Sequence, residues 1–204
     1  YRVEHLVREG VDPRAILLLT FTRKAAGEML RRAAQRDGRC ARVQGGTFHS
    51  FAYTLLREYY EAVKLPRQFS ILDQADSEEA VYKAGVLKGG LENKDKAFPK
   101  KGTLQKVISA SRNKEVPIYE ILEREYPHFD VYLDQIEEIA LGYQNYKRER
   151  GYVDYDDLLF YFRALLRNDS IRETVASRYK YVMVDEYQDT NGAQFDLMRL
   201  LAGE

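Results

Sequence analysis

Tyr181-Val182-Met183-Val184-Asp185-Glu186-Tyr187-Gln188-Asp189-Thr190 is the segment that separates this chain from most other fold classes. Residues 181–184 are a continuous apolar run bounded by polar residues, which reads as a short buried strand. Two adjacent carboxylates at its C-terminal end then stand where open α/β sheets bind ligands. One acid in such a place can hold Mg²⁺ while its neighbour orients a water at a phosphate, the chemistry of nucleotide hydrolysis. An Asp-Glu pair alone commonly caps a helix or faces solvent. That plainer reading weakens here because a buried strand precedes the pair and Gln188 and Asp189 follow it.

Upstream, Val3 to Arg8 reads as the end of a helix stopped at Gly10, and Asp12-Pro13 as a turn. Ala15 to Thr20 is a second continuous apolar run, predicted to be a buried parallel strand. Thr22 can cap a helix from Arg23 to about Gln35, with Ala26, Met29, Leu30 and Ala33 on one face. A short segment at Ala41-Arg42-Val43 leads to Gly45-Gly46-Thr47, and another helix is predicted from about His49 to Tyr60. The middle of the chain changes character. Asp73 to Gly85, Pro117 to Tyr126, Phe129 to Arg150 and Tyr155 to Leu166 all show helical spacing, and Gly89 to Gly102 is expected to be a loop. The fold class is therefore α/β, with residues 1–50 and 179–204 forming one unit and an all-helical insertion at 51–178.

Bulk properties exclude little. The 204 residues carry 32 basic and 32 acidic side chains, so net charge points to no partner. Charge is uneven, however. Between Lys88 and Lys114, eight Lys or Arg face only Glu92 and Asp95, whereas Glu115 to Glu138 holds eight acids against Arg124. The basic block is a candidate phosphate-contacting surface, and the plainer alternative is a solvated face. Cys40 is the one cysteine, which rules out an internal disulfide and fits a reducing, cytoplasmic setting. No apolar run reaches membrane-spanning length, so no membrane partner is expected. The chain starts at Tyr1 with its helix and strand pattern already under way, and is expected to be an internal piece of a longer protein.

Three further segments carry candidate chemistry. In Thr20-Phe21-Thr22-Arg23-Lys24 a strand ends, a hydroxyl caps a helix and two cations lie in its first turn. Cations there oppose the helix dipole, so a bound backbone phosphate is one reading and an ordinary strand-to-helix turn the other. In Gly45-Gly46-Thr47-Phe48-His49-Ser50 the glycines permit close approach of another backbone, and Phe48 and His49 offer flat rings for stacking on bases. The alternative is a core Phe48 and a His49 satisfied by a carbonyl. In Asp154-Tyr155-Asp156-Asp157-Leu158 the acids suit a helix start, with Asp154 as cap, which leaves Tyr155 either to stack on a base or to pack inward. A Gly-rich phosphate loop of the form G-x-x-x-x-G-K-[ST] is absent from the sequence.

In order and spacing, these four segments resemble superfamily 1A DNA helicases of the UvrD/Rep/PcrA type. Leu18 to Met29 is similar to the family's motif Ia, Gly46 to Phe51 to motif Ib, and Asp185 to Thr190 with Asn191 and Gln194 to motif II. The Asp-aromatic-Asp-Asp-Leu run at 154–158 also recurs in the family, usually with Phe where Tyr155 stands. The resemblance implies a partial RecA-like P-loop NTPase domain, 1A, interrupted by a helical subdomain, 1B. It implies ATP and Mg²⁺ as cofactors, with Asp185 on the metal, Glu186 activating the attacking water and Gln188 sensing the γ-phosphate. Phe21, Thr22, Arg23, Thr47, Phe48, His49 and Tyr155 are implied to contact single-stranded DNA, and Lys100-Lys101 to touch a duplex backbone. The implied activity is 3′-to-5′ translocation and unwinding in DNA repair or replication. Its partners would be single strands, single-strand/duplex junctions and accessory repair or replication proteins. Against the family pattern the phosphate loop and the second motor domain are missing, so the chain by itself is expected not to turn over ATP. Two rivals remain: the motor of a helicase-nuclease of AddA or RecB type, and a non-catalytic DNA-binding module.

Overall fold

The computed structural model describes residues 2–87, 96–189 and 192–202. In chain order, helix α1 (Arg2–Arg8) precedes strand β1 (Ile16–Thr20), α2 (Arg23–Arg36), β2 (Gln44–Thr47) and α3 (Phe48–Glu58). Next come β3 (Ser70–Ile71), α4 (Gln74–Leu87), α5 (Lys101–Lys114), α6 (Ile118–Glu125), α7 (Leu133–Arg150) and β4 (Tyr152–Val153). Last are α8 (Tyr155–Leu166), α9 (Asp169–Ser177), β5 (Tyr181–Val184) and α10 (Gly192–Ala202). By packing the chain divides into two compact units, residues 1–64 with 158–204, and residues 65–157. No helix among the described residues is long and apolar enough to cross a membrane.

The first unit is built on a parallel sheet of order β2-β1-β5. All five residues of β1 are buried, as its unbroken apolar run requires of a strand covered on both faces. Helix α1 ends at Gly10, whose φ of +90° is open to glycine at little cost. The Asp12 side chain accepts from the Arg14 N–H and starts a short 3-10 turn that feeds β1. Helix α2 lays Met29, Leu30 and Ala33 toward Val3, Val7, Ile16 and Leu18, and this cluster also encloses Cys40, while Ala26 of the same helix is buried. The Cys40 thiol is pushed above its ordinary range by burial, so it behaves as a small core residue.

Strand β2 is the first departure from expectation. Gln44-Gly45-Gly46-Thr47 has no apolar alternation and Thr47 as its one β-branched residue, so no strand is predicted there. The structure pairs it in parallel with β1, from Leu17↔Gln44 to Thr20↔Thr47. Glycine is needed at position 45 for packing: a Cβ there would lie 2.9 Å from the Leu18 carbonyl oxygen. The second departure is the boundary between units. Helix α3 grows directly from β2 and buries Phe48, Ala52, Leu55 and Leu56, so it belongs to the α/β unit and not to the insertion. Helix α9 belongs there too, because the segment that follows it is tied to that unit. Arg178 pairs with Glu58 at 2.5 Å, and the Lys180 N–H donates to the Ala15 carbonyl at 2.8 Å.

The second unit packs α4, α5, α6 and α7 around Val81, Leu104, Ile121, Leu122, Ile136 and Tyr143. It is not wholly helical, since β3 and β4 form a two-residue parallel ladder, with Ser70↔Tyr152 and Ile71↔Val153 in register. Helix α5 replaces the end of the expected loop: Lys101 and Gly102 lie in its first turn, and Lys101 pairs with Glu79 at 3.1 Å. The rest of that expected loop from 89 to 95, with Lys88, Glu92, Lys94 and Asp95 of the basic block, lies outside the described residues. Helix α7 ends at Gly151, where φ is +64° and a Cβ would come within 2.7 Å of Pro66 Cγ. Gly151→Ala meets both the left-handed backbone penalty and this clash. It should lower stability by about 1–3 kcal/mol, read as a shift in the urea midpoint at unchanged slope.

Candidate active site and nucleic-acid interface

Parallel pairing sets the geometry of the first unit's site. Because β2, β1 and β5 run the same way, their C-terminal ends and the segments that follow emerge at one edge of the sheet. Thr20 is in register with Thr47, and Leu19 with Val184. One residue past β5, the Asp185 N–H donates to the Leu19 carbonyl at 3.0 Å, which extends the pairing and fixes Asp185 beside Thr20. Three of the four sequence segments thereby converge on one edge.

Asp185 is half-buried and Glu186 exposed. Glu186 has a φ of +54°, in the left-handed region that non-glycine residues rarely enter. Lys64 and Glu115 share that conformation, but both close helical turns, where it is a usual terminator. Glu186 closes no helix. Its backbone directs a carboxylate outward at the sheet edge, where the Gln188 side-chain amide donates to it. Strain of this kind, on the order of 1–3 kcal/mol, is characteristic of functional sites. Thr190 and Asn191 lie outside the described residues. A cleft of about 600 Å³ runs along β5, floored by Leu18, Met29, Ala33 and Met183, rimmed by Arg2, Arg32 and Arg36, and bounded in part by Asp185.

At the end of β1, the Thr20 hydroxyl donates to the Thr22 carbonyl at 2.9 Å, and the Thr22 hydroxyl accepts from the Ala25 N–H at 3.1 Å. Thr22 is thus the helix cap that the sequence predicts, and Arg23 and Lys24 are exposed beside it. At the end of β2, Thr47 and Ser50 form a reciprocal capping box: Ser50 N–H to Thr47 Oγ1 at 3.1 Å, Thr47 N–H to Ser50 Oγ at 2.9 Å. A Cβ on Gly46 would lie 2.5 Å from that Ser50 hydroxyl, so the box, not an approaching ligand, already accounts for the glycine. Phe48 corrects the simplest stacking picture. Only 1% of it is exposed, with its ring 5.8 Å from that of Phe21, so it offers no open face to a base. Phe21 and His49 are partly exposed.

The fourth segment lies in the second unit up to Asp157 and contains a network that sequence reasoning missed. Asp154 and Asp157 form a reciprocal box at the start of α8: the Asp157 N–H donates to Asp154 Oδ1 at 2.8 Å, and the Asp154 N–H to Asp157 Oδ2 at 3.2 Å. Lys147, only 2% exposed, places its ammonium 2.5 Å from a carboxylate oxygen of each. The Tyr143 hydroxyl donates to Asp154 at 2.8 Å, and Arg112 to Asp157 at 3.3 Å. Burial works to raise the Asp154 carboxyl, but the Lys147 charge and hydrogen bonds outweigh it and hold that group below the ordinary range. Burial and the neighbouring Asp154 charge push Asp157 upward. Tyr155, between them, is 45% exposed. A signal for Lys147 did exist in the sequence. It falls four residues after Tyr143, on the stripe of Ile136, Ile139 and Tyr143 that faces the core.

A parallel α/β unit with an acidic pair on the carboxyl edge of its sheet, joined to a mainly helical unit, is the class these features define. The chain belongs to the UvrD/REP helicase N-terminal domain family, whose model matches residues 1–204. Over its whole length it is 33% identical to the ATP-dependent DNA helicase Rep of Salmonella typhimurium, covering 30% of that protein. It is likewise 32% identical to the ATP-dependent DNA helicase PcrA of Staphylococcus aureus, covering 27% of that relative. Rep of Escherichia coli is 32% identical across 99% of the chain. The chain spans less than a third of the length of these relatives.

Phe48→Ala empties a closed part of the core and should cost about 3–5 kcal/mol of stability. The loss should appear as a shift of the urea midpoint at unchanged slope, followed by circular dichroism.

Proposed function

We propose that this chain supplies the acidic half of a nucleotide site and part of a single-stranded DNA track to an ATP-dependent DNA helicase of RecA-like fold. In this reading the sheet unit is motor domain 1A, the helical unit is the inserted 1B, and movement runs 3′ to 5′ on single strands and at single-strand/duplex junctions. Convergence of Asp185-Glu186, Thr20 to Arg23 and Thr47 to His49 on one sheet edge is the observation that carries the proposal. Such a layout would make nucleotide hydrolysis and strand contact neighbours in a single compact unit, which coupling one to the other requires. The whole-chain family match and the helicase relatives support it.

Glu186, exposed and held in its left-handed conformation, is suited to orient and deprotonate a water. Gln188, hydrogen-bonded to that carboxylate, is suited to sense the terminal phosphate and pass its loss to the strand track. Among the described residues no group of three or more His, Cys, Asp or Glu could hold a metal. Mg²⁺ commonly takes one or two carboxylates and completes its shell with phosphate oxygens and water. Asp185 would be its protein ligand, and the ion when bound would neutralise charge on the phosphates. On the track, Phe21 and His49 offer partly exposed rings, Thr22, Arg23 and Thr47 sit at the two helix starts, and Phe48 supports Phe21 from the core. Tyr155 offers an exposed ring in the helical unit. Such a protein would work in the cytoplasm with repair or replication proteins.

In the full-length protein, Glu186→Gln should reduce DNA-stimulated ATP hydrolysis by about 10²–10⁴-fold while single-strand affinity is retained. Unchanged turnover would remove Glu186 from the chemistry. Tyr155→Ala should weaken single-strand binding by about 1–3 kcal/mol, the value of one base–aromatic stack, in an anisotropy titration of labelled oligothymidine. Undiminished affinity would exclude the stack.

A further inference from the structure

We infer that Lys147 is a positioning residue: by holding Asp154 and Asp157 together it locks the first turn of α8 and keeps the Tyr155 ring outward as a stacking face for a nucleic-acid base. This rests on the reading of Tyr155 as part of a single-strand track.

Every carboxylate oxygen of the two aspartates is engaged. Asp154 Oδ1 takes the Asp157 N–H, and its Oδ2 takes Lys147 and the Tyr143 hydroxyl. Asp157 Oδ2 takes the Asp154 N–H and Lys147, and its Oδ1 takes Arg112. Between them in sequence, the Asp156 carboxylate accepts from the Asn113 side-chain amide at 2.9 Å. Asp154, Asp156 and Asp157 are therefore tied to α5 and α7, and Tyr155 is the one residue of positions 154–157 with an exposed side chain.

Helix capping alone does not call for this arrangement. Elsewhere among the described residues α2 and α9 are capped by single neutral side chains, Thr22 and Asn168, and the only charge pair in the first turn of α9 is the solvent-facing Asp169–Arg172. Helix α8 instead spends two aspartates and a lysine that is 2% exposed, with Arg112 balancing the second negative charge. Buried ion clusters are poor stabilisers, because desolvation offsets most of their attraction, and in some proteins they serve instead to select one geometry over its neighbours, the role inferred for this one. A lysine at the Lys147 position reaches both members of the box only if the turn is correctly wound. The same winding decides on which side of the helix Tyr155 emerges, so a fault in the box would turn the ring toward the core.

The test is a double-mutant cycle on the full chain, with Lys147→Met, Tyr155→Ala and the pair, read by anisotropy with labelled oligothymidine on protein shown to be folded by circular dichroism. Tyr155→Ala should weaken binding roughly 5- to 150-fold. Lys147→Met should weaken it comparably, and the double variant should bind no worse than Tyr155→Ala alone. A purely structural lysine would instead lower affinity by a similar factor in both backgrounds, and that additivity would overturn the inference. Wild-type affinity in folded Lys147→Met would overturn it as well. No binding by the unaltered chain, or no effect of Tyr155→Ala, would defeat the track reading itself and show in those samples alone. Should Lys147→Met fail to fold, Arg112→Met takes its place in the cycle. It removes one partner of Asp157 at a less buried site, and the same non-additivity is expected.

Discussion

Backbone hydrogen bonds on both sides of Ile16–Thr20 join segments that lie far apart in the chain, Gln44–Thr47 on one edge and Tyr181–Val184 on the other. Everything proposed for the sheet unit depends on that parallel pairing. An antiparallel neighbour would send Asp185 and Glu186 to the opposite edge from Thr22 and Thr47. A slip of one residue would exchange the two faces of a strand. The continuous apolar character of β1 tolerates burial on both faces, so the strand can sit at the centre of the sheet. The Asp185 N–H bond to the Leu19 carbonyl carries the register one step into the acidic segment.

Around this centre the local devices agree with one another. The Thr22 cap, the Thr47–Ser50 box and the glycines at 45 and 46 are mutually consistent: the box needs Gly46 and the tight parallel approach of β2 needs Gly45. Residues that look like ligand-binding chemistry in a linear reading are thus partly used up by the fold. This narrows the functional assignments. Thr22, Arg23 and Glu186 are exposed at the sheet edge and Phe21, His49 and Asp185 partly exposed there, whereas Phe48 is buried. In the helical unit the same economy applies to Asp154 and Asp157, whose carboxylates are committed to Lys147, Arg112 and Tyr143 and leave Tyr155 as the outward group.

Much of this was legible beforehand, and the misses share a cause. The strands at 16–20 and 181–184, the Thr22 cap and most helices were predicted because each carries its signal within a dozen residues: an apolar run, a cap or a 3.6-residue stripe. Helix α5 was obscured by its lysines, although Leu104, Val107 and Ile108 hold the helical spacing and are buried. Strand β2 had no signal of its own. Its conformation is imposed by β1, and a Gly-Gly pair would serve equally in a turn. The unit boundaries at 64/65 and 157/158 follow packing, which places α3 and α9 with the sheet although they look no different from the inserted helices.

Family membership, the acidic strand end and the candidate strand-contacting segments are properties of the linear order of residues, because motif spacing and short-range periodicity are local. Which of those residues remain exposed is a different matter. The burial of Phe48, the left-handed backbone of Glu186 and the capture of Asp154 and Asp157 by Lys147 arise only when distant segments meet. Burial and charge pairing are sums over neighbours in space, and those neighbours are set by tertiary packing rather than by position along the chain.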